Sequence, residues 1–309
     1  MLRLCTPASL KPSTIASSTG GDGTAGAVQY STQPLRTIRP SSPLDLLDFR
    51  DLIQYRDLLA TLAWRDIKVR YRQTYLGAFW VLLQPILGAS VFFIVFHNIG
   101  LLPGPQGVPY FVFSMSSLIA WNFFTSILNK ASNSLVNNSQ LISKVYFPRL
   151  LLPLSSVLSS TVDLIISILV LTAIMAFSGM TFDYYLTFLP LWLMSLAMLA
   201  SGLSFLIGSL MVSYRDVQHI LPVALQMTLY ASPVGYTLDQ ALTRAPSDLH
   251  FVFRLNPLSG LLEGFRCSLL GLAAPDATTI AFSITVSAIV FLTGLVTFKR
   301  MERRFADVI

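Results

Sequence analysis

Six stretches of this chain are apolar over nearly the ~20 residues that a helix needs to cross a bilayer, and they limit the fold more than any other feature. They run at about Gly77–Phe96, Val108–Leu128, Leu150–Met175, Leu186–Val212, Ile220–Tyr236 and Thr279–Phe298. The fifth is shorter than the rest and contains Pro222 and Pro233. Of 309 residues, 53% are hydrophobic and 12% charged, and the mean hydropathy is +0.64. A soluble domain of this length could not hide so much apolar surface from water. The expectation is an all-α integral membrane protein with six transmembrane helices.

The cations sort the connections. Arg65, Lys68, Arg70 and Arg72 precede Gly77, and the link His97–Gly107 has no Lys or Arg. Asn129–Arg149 carries Lys130, Lys144 and Arg149, Ser178–Tyr185 has none, and Ser213–His219 has Arg215. After Phe298 come Lys299, Arg300, Arg303 and Arg304. Lys and Arg are retained on the cytoplasmic side, so this alternation places both termini in the cytoplasm. The net charge of +6 is accordingly assigned to topology and anionic lipid, with no nucleic-acid partner.

Three regions follow. Residues 1–45 are rich in Ser, Thr, Gly and Pro and read as a disordered cytoplasmic tail. Residues 46–72 read as an amphipathic interface helix, with Leu52, Tyr55, Leu58, Leu59 and Leu62 on one face. Arg50, Gln54, Asp57, Thr61, Arg65 and Lys68 fall on the other. Such a helix lies flat on the membrane before turning into a span; an ordinary basic flank of the first span is the plainer alternative. Residues 73–309 form the six-span domain.

The stretch Thr237–Asp276 is too long and too mixed in charge for a simple turn. Within it, a spanning Pro257–Leu272 would place Glu263 and Arg266 in hydrocarbon and put the basic C-terminal tail outside. It reads instead as a re-entrant helical hairpin dipping into the outer surface between spans five and six. Glu263 and Arg266, at i and i+3, can pair there. The hairpin serves as a cap, a gate or both.

Several chemistries are unsupported. There is no Gly-Lys pair, hence no phosphate loop of that type, and His97, His219 and His250 are scattered in separate loops without metal spacing. Cys5 and Cys267 fall on opposite sides of the membrane in this topology and imply no disulfide. Gly202-Leu203-Ser204 resembles the opening of a membrane serine-protease motif, but Phe205 follows and no histidine accompanies it. Gly202 reads as a small residue at a helix-packing face. Asp163 is the single carboxylate inside a span, with no obvious cationic partner at membrane depth. It is a candidate proton relay, or it bonds neighbouring hydroxyls such as Ser159, Ser160 and Thr161.

Aromatics crowd the apolar segments: Phe79, Trp80, Phe92, Phe93, Phe96, Trp121, Phe123, Phe124 and Tyr230. They read as interface-belt residues or, with Gln84, Asn122 and Gln226, as the lining of a path for sugars. Two connections read as partner contacts. Asn129–Arg149 carries Leu135, Leu141, Ile142, Tyr146 and Phe147 in a loop expected to face water, where apolar side chains need a protein groove or the headgroup layer. The second is the tight turn Tyr214-Arg215-Asp216-Val217.

Five stretches in order resemble one family. They are WRDIKVRYRQTYLGAFWVLLQP (Trp64–Pro85), SNSLVNNSQLISKVYFPRLLLPLSS (Ser132–Ser156), YRDV (Tyr214–Val217), NPLSGLLEGFRCSLLG (Asn256–Gly271) and RMERRFADVI (Arg300–Ile309). Together they are similar to the permeases of ABC-2 type exporters for polysaccharides and polyol phosphates, which include Wzm-like O-antigen permeases and teichoic-acid permeases. The N-terminal tail is longer than that pattern.

The resemblance implies a homodimer working with two copies of a separate ABC ATPase, which carries the ATP and Mg, so that this chain is not an enzyme and holds no cofactor. The cargo it implies is a lipid-linked glycan of the undecaprenyl pyrophosphate type, exported across the bacterial inner membrane. Carried over by position, Ser139, Leu141, Ile142, Lys144, Tyr146, Phe147 and Arg149 would couple to the ATPase, with Tyr214, Arg215 and Asp216 as a second contact. Phe79, Trp80, Gln84, Phe92, Gln226 and Tyr230 would line the channel, and Asn256, Glu263 and Arg266 would belong to the outer gate. Lys68, Arg70 and Arg72 would either attract the substrate's pyrophosphate at the entrance or simply anchor the topology. The competing readings are a proton-coupled secondary transporter using Asp163, an ABC-2 exporter of drugs or lipids, and a membrane glycan-processing enzyme. The last lacks an acid pair or a nucleophile and base at shared depth.

Overall fold

The computed structural model describes residues 53–302, apart from 73–76, 102–103, 106, 146, 181–182, 245, 247 and 249 and the side chains of 71–72, 77–78 and 80–82. The expected N-terminal tail, the start of the interface helix and the last cations, Arg303 and Arg304, lie outside the described residues. Among the described residues every regular element is a helix. In chain order these are α1 (Arg56–Arg72), α2 (Gly77–Phe92), a π-helical continuation Phe93–Ile99, α3 (Tyr110–Asn137), α4 (Ser139–Lys144) and α5 (Leu151–Phe177). A 3-10 turn (Tyr184–Phe188) leads into α6 (Leu189–Ser213), followed by α7 (Val217–Ala231), α8 (Leu238–Arg244), α9 (His250–Leu255), α10 (Pro257–Leu270) and α11 (Ala277–Glu302).

Each of the six apolar segments is helical, but only four have spanning length by themselves. These are α3, α5, α6 with its 3-10 lead-in, and α11. The other two are shorter, and each has a proline inside it. Helix α2 has 16 residues with Pro85 inside. Helix α7 has 15 residues with Pro222 inside and ends before Pro233, whose ring steers Ser232 into an extended conformation (φ −108°, ψ 145°).

Helix α3 sits at the centre, against α2, α5, α6 and α10. Its interior face combines large rings (Phe113, Trp121, Phe123, Phe124) with Ser114, Ser116 and Ser117. The serine hydroxyls donate to carbonyls on their own helix, Ser116 to Phe113 O at 2.8 Å and Ser117 to the same atom at 3.1 Å. They therefore act as small residues that admit a neighbouring helix without leaving a polar orphan. Trp121, Phe123 and Phe124 are core rings, which corrects their reading as part of a sugar path.

The closest helix approach is between α6 and α11. A Cβ added to Gly294 would stand 2.2 Å from Gly202 O, and one added to Gly202 would stand 2.6 Å from the Phe291 Cα. Gly202 is thus a packing residue. The C-terminal ends of α3, α6 and α11 and the start of α5 gather at one end of the bundle. There Gly208 faces the Ser132 backbone, the Phe205 and Phe298 rings lie 5.5 Å apart, and Arg149 bonds Glu302.

A second apolar cluster of Leu62, Leu135, Phe147, Leu150, Leu151, Leu152, Phe205, Leu295 and Phe298 fills this end. Two expectations are corrected by it. Leu135 and Phe147 do not face water: α3 continues to Asn137 and carries Leu135 inward, and Phe147 turns into the cluster beyond α4. The apolar face of α1 does not lie on lipid: Leu62 is buried, Tyr55, Leu58 and Leu59 pack against the cluster, and the helix rests mainly on α5. The large apolar residues exposed on α1 are Trp64, which points away from that face, and Val69, which continues it two turns beyond Leu62.

Helix α10 is set into the opposite end rather than capping it. All of its residues except Pro257 and Glu263 are buried. Gly260 lies against Thr279 and Ser283 of α11, and Gly264 against the Trp192 ring of α6, so small residues let the helix enter. Asn256 accepts the Leu258 N–H at 3.0 Å to start it. Gly271, at φ 65°, ends it in the left-handed conformation that a side chain would resist.

Filling the α6–α11 contact is expected to damage the fold. Gly202→Val and Gly294→Val should each cost about 1–3 kcal/mol or more, since the opposing atoms are backbone and cannot rotate away. Thermal unfolding in detergent checks this, with Ala60→Val on the exposed face of α1 expected to stay within about 0.5 kcal/mol of the parent.

Candidate functional site

Four groups of residues bear on function, two at the gathered end, one at the α10 end and one along the bundle's flank. At the gathered end α4 is a six-residue helix between Asn138 and Val145. Leu141 and Ile142 are half-buried against the second cluster, Ser139 is half-buried and Lys144 is exposed. Tyr146 lies outside the described residues. Phe147 is buried, and Arg149 is tied to the end of α11, its backbone N–H donating to Glu302 Oε1 at 3.1 Å and its Nη1 to Glu302 O. Tyr214, Arg215 and Asp216 form the exposed turn between α6 and α7 at this same end, Tyr214 being 66% exposed. Lys144 and this turn are therefore open to a partner, while Phe147 and Arg149 hold the surface they sit on.

Also toward this end, Asp163 is not alone. Arg70 Nη1 of α1 and Lys130 Nζ of α3 both pair with its Oδ2, the lysine at 3.0 Å. Lys130 donates in addition to Ser160 Oγ at 3.1 Å, and Ser160 lies 3.0 Å from Ser126 Oγ. Of the expected hydroxyl partners, Ser159 and Thr161 donate instead to carbonyls on their own helix. A neighbouring arrangement on α1 has Arg65 Nη2 donating to Asp66 Oδ1 and to Asn138 Oδ1, each at 2.9 Å. Lys68 is exposed, and the Arg72 side chain lies outside the described ones.

At the α10 end, Arg266 is 1% exposed. Its guanidinium sits 4.7 Å from the Phe113 ring centroid and donates to Tyr236 O at 3.0 Å and Ser117 Oγ at 3.3 Å. Glu263 Oε1 lies 3.5 Å from its Nη2 and accepts the Leu238 N–H at 2.7 Å. The i, i+3 pair read from sequence is present, and it joins α10 to α3 and to the start of α8. Asn256 adds a tie to α7, its Nδ2 donating to Ser232 Oγ at 2.9 Å. Beside this cluster, Tyr110 donates to Gly235 O and stacks with His97 of the π-helical segment at 5.3 Å.

Helices α2 and α7 turn stripes outward. On α2, Phe79, Gln84, Leu87 and Val91 are exposed; on α7, Ile220, Val223, Gln226, Met227 and Tyr230 are. Phe92 differs from the other channel candidates: it is half-buried, 5.3 Å from the Phe96 ring, and lies beside Gly235. The Trp80 side chain lies outside the described ones.

A family profile described as ABC-2 type transporter matches residues 57–270, more than half of the chain. The chain belongs to the ABC-2 type transporter family. Its relatives include the O-antigen export system permease protein RfbA of Myxococcus xanthus, 26% identical over 259 residues, which is 84% of this chain and 97% of that protein. A protein of the same name from Klebsiella pneumoniae is 26% identical over 254 residues, 82% of this chain and 95% of its own length. A second from that organism is 25% identical with the same coverage. Family and apolar helices agree that this ABC-2 protein is an integral membrane transport subunit.

Of the two partners of Asp163, Arg70 lies on α1, 93 residues away in sequence, and Lys130 escaped the sequence reading for a local reason. Lys130 counted as a loop cation because the second apolar run ends near Leu128, whereas the helix continues to Asn137 and holds Lys130 against α5. Tyr236 and Ser117 escaped because contacts across 30 and 149 residues leave no local pattern.

Removing one member of the buried pair is expected to be severe. Arg266→Ala should lose roughly 3–5 kcal/mol by leaving Glu263 beside an empty apolar site. Tyr214→Ala should stay within about 0.5 kcal/mol. Thermal unfolding of the purified chain measures both.

Proposed function

We propose that this chain is the permease subunit of an ATP-driven exporter of lipid-linked polysaccharide in the bacterial inner membrane. The observation that carries the reading is similarity over 82–84% of the chain to proteins named as O-antigen export permeases, alongside the family match. In this reading all six apolar helices traverse the bilayer, α2 with its π-helical continuation and α7 included, and both termini face the cytoplasm. The gathered end is then cytoplasmic, in keeping with Lys130, Lys144, Arg149, Arg215 and Lys299 lying toward it.

Two copies of the chain pair with two ATPase subunits, which bind ATP and Mg. Helix α4 and the turn Tyr214–Asp216 enter the ATPase surface. The outward stripes of α2 and α7 meet their counterparts in the second copy and enclose the conduit, so their exposure in a single chain has a use. Glu263, Arg266 and Asn256 hold the re-entrant α10 at the outer mouth. Lys68 and Arg72 attract the pyrophosphate of an undecaprenyl-linked glycan at the inner mouth. Nucleotide closure of the ATPases favours one arrangement of the spans over the other by differential affinity.

Purification from detergent should bring down an ABC ATPase, and inside-out vesicles should take up the producing cell's own undecaprenyl-pyrophosphate-linked glycan on addition of ATP. Lys144→Glu combined with Tyr214→Ala should weaken ATPase retention roughly tenfold, or about 1.4 kcal/mol. A chain that purifies alone and moves its cargo on a proton gradient would overturn the reading.

A further inference from the structure

Two cations from two helices converge on one carboxylate oxygen that belongs to a third. Asp163 lies on α5, Arg70 near the end of α1 and Lys130 on α3, with side chains 15%, 34% and 23% exposed. The trio carries a net charge of +1. Without the carboxylate, two partly buried cations would face each other across a few ångströms. Burial of this degree makes such pairs worth more than exposed ones, and makes removal of the central partner costly.

The placement of α1 gives the cluster a mechanical meaning. Five residues before Arg70, Arg65 of the same helix holds Asn138, the residue directly before α4. Helix α1 therefore touches the junction between α3 and α4 through Arg65 and touches α5 through Arg70, and it meets Lys130 of α3 through the shared Asp163. In sequence it leads into α2. Leu62 and Ala63 already seat α1 on the bundle by apolar contact, which a helix can slide along. An ion pair to a single oxygen is directional and fixes where the end of α1 stands.

Resting on the function proposed above, we infer that Asp163 is the joint that makes α1 move with the spans. By pairing at once with Arg70 and Lys130, it ties α5 to α1 and α3, so that displacement of the α3–α4 junction held by Arg65 reaches α5. Asp163 is a positioning residue in this role; it meets neither cargo nor nucleotide. The alternative use of the same carboxylate, a proton relay, requires it to stay on α5. The joint requires only that opposite charges face each other across the α1–α5 contact.

Exchanging the charges separates the two. The full complex with its ATPase is reconstituted in nanodiscs as parent, Asp163→Asn, Arg70→Gln, and the double exchange Arg70→Asp with Asp163→Arg, which keeps the trio's net charge. Spin labels on Met227→Cys, exposed on α7, report the distance between copies before and after trapping with ATP and vanadate, so no cargo is needed. Hydrogen exchange of α1 amides in the permease alone reports the joint itself.

The expected result is that Asp163→Asn and Arg70→Gln assemble and hydrolyse ATP within twofold of the parent. The ATP-induced distance shift is lost, α1 exchange rises at least tenfold, and the double exchange restores both readouts. A parent-like shift or unchanged α1 exchange in Asp163→Asn overturns the inference. So does a double exchange that restores α1 protection but not the shift, which returns the role to a carboxylate on α5. Failure of both single variants to assemble reduces the cluster to an anchor and overturns it too. If the parent binds no ATPase, the exporter reading has failed instead, and the hydrogen-exchange arm still judges the joint.

Discussion

Apolar helices gain little by meeting one another in lipid, so close approach of backbones and polar contacts must hold them together. This chain depends on that constraint throughout. Gly202 and Gly294 bring α6 and α11 within backbone contact, Gly208 does the same for α6 and α3, and Gly260 and Gly264 admit α10 between α6 and α11. Ser116 and Ser117 on α3 stand where larger side chains would keep neighbours apart, and they bond to their own helix so that their polarity does not oppose burial.

Charge is placed with the same economy. At one end the Arg266 guanidinium is enclosed by Phe113, Ser117, Tyr236 and Glu263, tying a re-entrant helix to the central span. At the other, Asp163 gathers Arg70 and Lys130. A buried charge is tolerated where its partners come from several elements, and each such cluster then fixes the relative position of those elements. Under the proposed exporter function, those are the places where the outer mouth is held and where inner motion is passed on. Between them lie the stripes on α2 and α7, which a single chain leaves uncovered.

Much of this was legible in the chain. The apolar runs located six helices, the i, i+3 spacing of Glu263 and Arg266 anticipated their pairing, and the order of five motifs indicated the family that the comparisons establish. Phe147 turns into the second apolar cluster beyond α4, a contact set by tertiary packing, and the burial of Leu135 was missed because hydropathy marks where an apolar run stops. It does not mark where a helix stops, and α3 carries a polar last stretch as far as Asn137.

The sequence by itself determined that the chain is helical, belongs in a membrane and concentrates its cations beside particular helix ends, because helix period and bilayer thickness act over ~20 residues at a time. Only the tertiary structure decided that the apolar face of α1 meets α5, that α10 is buried rather than laid on the surface, and that Asp163 has two partners. Each of these rests on atoms brought together from distant positions. The energy that selects them comes from close packing and charge pairing, neither of which leaves a periodic trace along the chain.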